Sequence, residues 1–198
     1  MARIGFKKAK YNKHNTTAGK YATLEDSKVP EFEKVQEEKF APEYNNAELY
    51  GNDSLAESDT TFKKGSLTIT VVDDNDKIDA DLLGNDISTE TSNNGEVSMN
   101  VKDTAPEVGY GHIIPKLVNN QRKYKVEFFP RVKFSKITHD AKARGESVEF
   151  TVSTIEGTVY PLDKEFNGIP EGTWEKHKTF DSYSDAETYL DTLLTPAA

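Results

Sequence analysis

Alternation of apolar and polar residues is clearest at Ser66–Val72, where Leu67, Ile69 and Val71 share one face and Thr68 and Thr70 the other; this pattern predicts a half-buried strand. Ile78, Leu82 and Leu83 follow at helical spacing, with Gly84 placed to end that helix. Gly95–Val101 reads as a short strand. Val108–Val118 and Lys123–Phe134 flank Asn119-Asn120-Gln121-Arg122 and read together as a hairpin. Tyr124, Val126 and Phe128 alternate with Lys123, Lys125 and Glu127, predicting one buried and one wet face, and Pro130 predicts an edge or a bulge. Val148–Val159 supplies a further strand pair or a strand bent at Gly157.

The chain's end reads as a helix over residues 184–195. Ser184 and Glu187 match a capping box, Ala186, Tyr189, Leu190, Leu193 and Leu194 form an apolar stripe, and Pro196 closes it. Two stretches have no period. Residues 1–28 read as an N-terminal arm, and 41–66 as a long polar loop projecting from the domain, in which Tyr44, Leu49, Tyr50 and Leu55 are available for burial. Between them Val29–Phe40 reads as an edge or interface strand. The total is roughly six to eight short strands and two short helices without βαβ alternation, which predicts a single mainly-β domain over 1–198, a β-sandwich or open barrel flanked by helices.

Composition narrows the function. The chain has 198 residues with 35% hydrophobic and 30% charged residues and a net charge of −9, which argues against sequence-blind nucleic-acid binding. It holds no cysteine, so disulfides, thiolate metal sites and thiol catalysis are out. Met1–Lys20 is basic without an apolar core, and no stretch reaches the roughly 20 apolar residues of a bilayer span, so the expectation is a soluble chain without a signal peptide. The charge is blocked: basic to Lys20, acidic over Glu25–Asp59 and Asp73–Glu90, basic over Lys116–Arg144, acidic to Asp191. Such blocks are either solvated faces or surfaces that meet on neighbouring subunits.

No catalytic or metal motif emerges. The best calcium register, Asp79, Asp81, Gly84 and Glu90, puts Leu83 where an oxygen ligand is needed. His14, His112, His139 and His177 are far apart, and Gly109-Tyr110-Gly111 reads as strand glycines permitting close approach. No nucleophile elbow or phosphate loop is present. The expectation is no enzyme, no cofactor and no metal.

Several collinear stretches resemble the major tail (tail tube) proteins of long-tailed bacteriophages of Gram-positive hosts. They are Met1–Lys7, Glu48–Glu57 running into Phe62–Thr70, Ala80–Gly84, Thr104–Gly111, Tyr124–Phe128, Gly145–Phe150, Ile155–Thr158, and Trp174-Glu175-Lys176 with Thr179-Phe180 before the terminal helix. Gly51-Asn52 departs from the acidic pair expected in that loop. The resemblance implies a structural virion protein, made in the host cytoplasm, whose hexameric rings stack into a tube that conducts DNA. Its implied partners are itself, the tape measure protein and tail-terminator or baseplate proteins; DNA passes without specific binding, and no membrane is involved. It further implies that the 41–66 loop, through Tyr44, Leu49, Tyr50 and Leu55, contacts the adjacent ring. Glu31, Glu33, Glu37, Glu38, Asp73 and Asp74 flank the proposed inner strands and are the candidates to face the lumen. The alternative is a β-sandwich module binding carbohydrate or a receptor, which should cluster exposed aromatics on one face.

Overall fold

The computed structural model describes residues 2–24, 28–32, 34–51, 54–72, 75–89, 95–138 and 152–197. The chain is mainly β. In order, its elements are β1 (Ala2–Arg3), β2 (Lys8–Asn15), β3 (Lys20–Tyr21), β4 (Glu31–Phe32), β5 (Val35–Gly51), β6 (Ser54–Val71), α1 (Asp76–Leu83), β7 (Asp86–Ile87), β8 (Val97–Ser98), β9 (Glu107–Val118), β10 (Gln121–Thr138), β11 (Ser153–Val159), β12 (Lys176–Phe180) and α2 (Tyr183–Leu194). The large antiparallel sheet runs β3-β2-β9-β10-β11-β6-β5. β4, which leads into β5, pairs with β2 at Ala9↔Phe32 and Lys10↔Glu31 and so brings the two ends of that order together.

Side-chain alternation divides the apolar residues between the two faces of this curled sheet. Tyr11, Leu67, Ile69, Val108, Tyr110, Phe129, Val132, Phe134, Ile155 and Val159 fill the inside, where Leu82 of α1 joins them. Ile113, Val126 and Phe128 point outward, against Leu162, Phe166 and Ile169 and the Ala186–Leu190–Leu194 stripe of α2. The strand glycines permit this packing: a Cβ on Gly109 would meet the Tyr21 ring. Gly157 is not a bend. It sits within β11 opposite Leu67, where a Cβ would come 2.8 Å from Phe134 Cδ1.

The β9–β10 hairpin turns on Asn119 and Asn120, whose φ values of 50° and 60° follow the pattern of a type I′ turn that asparagine tolerates. The register slips between Phe129 and Val132, so Pro130 does mark a bulge. α1 ends as expected, with Gly84 at φ 77°, and Asn75 caps its start by accepting from the Lys77 and Ile78 amides. The helix at the chain's end is also present, but Ser184 does not cap it. Ser182 occupies that position without a side-chain bond, and Glu187 is instead drawn to Lys8 and Lys10. The strand expected at Gly95–Val101 shortens to Val97–Ser98, and Met99 and Val101 stand in solvent.

The expected arm over 1–28 is built into the sheet. β2 pairs with β9 from Lys8↔Ile113 to Lys13↔Val108 and presents a different set of residues to each helix. On one face Lys8 and Lys10 bind Glu187 and Asp191, and Asn12 donates to the Leu194 carbonyl, all on α2. On the other, Tyr11 and Lys13 reach Asp81 of α1. The segment lacks an apolar period because its lysines are matched to carboxylates distant in sequence. That basic block thus meets its acidic counterpart within one chain.

The expected loop over 41–66 is a corrected reading as well: β5 and β6 form one continuous hairpin, paired from Val35↔Val71 to Gly51↔Ser54. From Ala41 to Glu48, and again over Ser58–Thr61, every residue is exposed, so both faces of the ribbon lie in water and no alternation is needed to build it. At its base, Trp174 stacks on Phe62 at 4.2 Å, Phe40 follows at 5.9 Å, and Phe40 lies 4.7 Å from Phe129. A Cβ on Gly65 would collide with the Phe40 ring, so the glycine makes room for this stack.

Candidate functional site

The run Val108–Pro115 on β9 is entirely buried, and it contains one ionisable imidazole, His112. Alternation turns His112 to the inner face beside Tyr110, their ring centroids 5.9 Å apart. Glu127 on β10 is its direct cross-strand neighbour, and Glu38 reaches in from β5. His112 Nδ1 lies 3.0 Å from Glu38 Oε2, and Nε2 lies 3.3 Å from Glu127 Oε2. The side chains of His112, Glu38 and Glu127 are 2%, 7% and 10% exposed. Nδ1 is not directed at the carboxylate for a hydrogen bond, so the Glu38 contact is ionic.

Each carboxylate has a second anchor. Glu38 Oε2 accepts from the Tyr110 hydroxyl at 2.6 Å. Glu127 Oε1 accepts from Lys125 Nζ at 2.5 Å and from Arg3 at 3.1 Å. Lys125 and Glu127 therefore do not form the wet face that alternation suggested; the N-terminal strap and β5 cover them. The strap is hydrogen-bonded to β9 through the Ile4 and Lys7 amides, and Phe6 stacks on His112 at 5.5 Å.

Burial opposes a charged imidazole, but the Glu38 charge and the contacts to Glu127 outweigh it and push the His112 pKa up to about 9. At neutral pH His112 is a buried cation between two carboxylates. Burial likewise opposes ionised Glu127, yet His112 and Lys125 hold its carboxyl well below the usual range. Burial and the Glu38 charge push the Tyr110 phenol far up. A cavity of about 560 Å³ opens over the cluster, with Glu37, Phe40, Glu175 and His177 on its rim. Among the described residues no group of three or more His, Asp or Glu can hold a metal ion. A histidine already protonated at neutral pH is a poor base; as a cation it ties β9 to β5 through Glu38 and to β10 through Glu127.

Of the carboxylates expected at a lumen, Glu31 is exposed and ion-paired with Lys8 at 2.7 Å, and Glu37 is exposed. Glu38 is buried in the cluster, and Glu33, Asp73 and Asp74 lie outside the described residues. Of the expected loop contacts, Tyr44 is exposed on the hairpin, edge-on to Phe62 at 6.0 Å. The side chains of Leu49, Tyr50 and Leu55 fall outside the described residues. On the basic hairpin, Lys123 pairs with Asp181, Lys125 with Glu127, and Arg131 with Glu107 and Asp163. No spacing pattern announces the His112 cluster. Its one signal is a histidine within an otherwise apolar buried run.

No helix among the described residues is long and apolar enough to cross a membrane. Compared with protein-family models and with curated proteins, the chain finds no match.

Proposed function

We propose that the chain is a structural, non-catalytic subunit of a phage tail tube, assembling as hexameric rings that stack into a conduit for DNA. The observation that supports this reading is the β5–β6 hairpin, exposed on both faces over Ala41–Glu48 and Ser58–Thr61. A two-stranded ribbon of this kind is marginal by itself in water and presents open backbone edges, so it gains stability against further copies. In this reading the hairpin, with Tyr44 on it, reaches the adjacent ring, and the tape measure protein and tail-terminator or baseplate proteins are the partners at the tube's interior and ends. The net charge of −9 suits passage of a polyanion, because each phosphate neutralised by the wall would add affinity and slow transit. The subunit is then made in the host cytoplasm and resides in the virion tail.

Size-exclusion chromatography with negative-stain imaging tests the proposal: rings or tubes are expected, and a monomer at all concentrations would sink it. Deleting Asn45–Glu57 is expected to leave a folded chain that no longer stacks. Tubes of normal length from that deletion would remove the hairpin from the inter-ring contact.

A further inference from the structure

We propose that protonated His112 is a pH-dependent anchor for the base of the β5–β6 hairpin: with its proton it holds Glu38, and with it β5, against the barrel wall, and without the proton that strand comes away locally. The inference stands apart from the tube reading, because a single chain would show it.

The geometry makes the cluster lopsided. Glu127 keeps Lys125 at 2.5 Å and Arg3 at 3.1 Å whatever the state of His112. Among the described residues Glu38 has only His112 as a counter-charge, beside the neutral Tyr110 hydroxyl. The other charged groups around the cavity do not replace it. Glu37 shares the sign of Glu38, Glu175 pairs with His177 at 3.0 Å, and Lys125 and Arg3 are engaged by Glu127. When His112 is neutral, Glu38 is a buried carboxylate facing a second one, a costly state. β5 can relieve it, because β5 is the outer strand of the sheet order with β6 as its long partner, whereas β9 and β10 are held from both sides. Burial opposes the charged imidazole, but the Glu38 charge and the contacts to Glu127 outweigh it and place this transition near pH 9. Two residues beyond Glu38, Phe40 enters the stack with Trp174, so movement of β5 changes the surroundings of that indole.

Trp174 is the only tryptophan, so its fluorescence reads the anchor directly in the full chain. Titration from neutral pH to just below the ordinary tyrosine range should show a sigmoidal change in emission centred near pH 9, absent in His112→Gln. In Glu38→Gln, which keeps an acceptor for Tyr110 but leaves no carboxylate to strand when His112 loses its proton, the emission change should be absent or much reduced. A wild-type chain with constant emission would overturn the proposal. So would a transition retained in His112→Gln, or one of wild-type size and midpoint in Glu38→Gln; the last holds even where His112→Gln fails to fold.

Discussion

Leu190 of α2 packs directly onto the bare backbone of Gly111 in β9: a Cβ at that position would lie 2.5 Å from Leu190 Cδ1. The helix therefore sits as low on the sheet as the chain permits. Gly111→Ala should cost roughly 1–3 kcal/mol by overpacking, and Leu190→Ala roughly 2–5 kcal/mol by leaving a cavity. The two changes should be less than additive when combined, since the smaller side chain admits the methyl group. Urea unfolding of the three variants measures this, and strict additivity would show that the pair does not touch.

Stability should fall as pH rises from neutrality toward 10. The His112 pKa is raised from 6.5 to about 9 on folding, so between those values the folded chain holds a proton that the unfolded chain has released. Its contribution is complete below 6.5, is lost as pH passes through about 9, and is on the order of 3 kcal/mol at most. Glu127 works in the opposite sense, contributing above the ordinary glutamate range and losing its contribution only in strong acid. Denaturant midpoints measured across neutral to alkaline pH should flatten in His112→Gln.

Lys10 should matter more than Lys8. Lys10 is buried, with Asp191 at 2.5 Å and Glu187 at 3.2 Å, and its removal leaves α2 with uncompensated acid facing β2. Lys10→Met is expected to cost roughly 1–3 kcal/mol. Lys8→Met should cost less than about 1 kcal/mol, because its ammonium is partly hydrated and its pairs are screened. Thermal unfolding at low and high salt separates the two, the Lys8 effect shrinking as salt is added.

The β9–β10 turn should discriminate by backbone conformation alone. Asn120→Gly is expected to be neutral or mildly stabilising at φ 60°, and Asn120→Val to cost about 1–2 kcal/mol. Equal stabilities would mean that the turn relaxes to another type.

Elements whose signal is local were legible beforehand. The Asn119-Asn120 turn, the Pro130 bulge, Gly84 after α1 and the Ala186–Leu190–Leu194 stripe each follow from one residue's backbone preference or from one face's period. Elements whose stability comes from elsewhere in the chain were not. β2 reads as polar because Lys8, Lys10 and Lys13 are completed by Glu187, Asp191 and Asp81. The outer part of the β5–β6 hairpin, Ala41–Glu48 with Ser58–Thr61, shows no alternation because neither face is buried. The His112 cluster draws on β5, β9, β10 and the N-terminal strap, so no sequence spacing could encode it. Trp174, near α2 in sequence, belongs to the opposite side, stacked on Phe62.

The clamp made by β2 also sets an order of events during synthesis. Its strand partner lies about a hundred residues downstream at Gly109–Ile113, and the acids that neutralise Lys8 and Lys10, Glu187 and Asp191 of α2, lie 179 and 181 residues downstream of them. Pairings so distant along the chain are reached slowly, because the connecting loop must be closed before any contact rewards it. A nascent chain halted before Tyr183 would carry Lys10 and the outer face of β9 uncovered. The sheet's outer layer is thus completed only once α2 has been made, and a chain cut before α2 should be recognisable to proteases as unfinished.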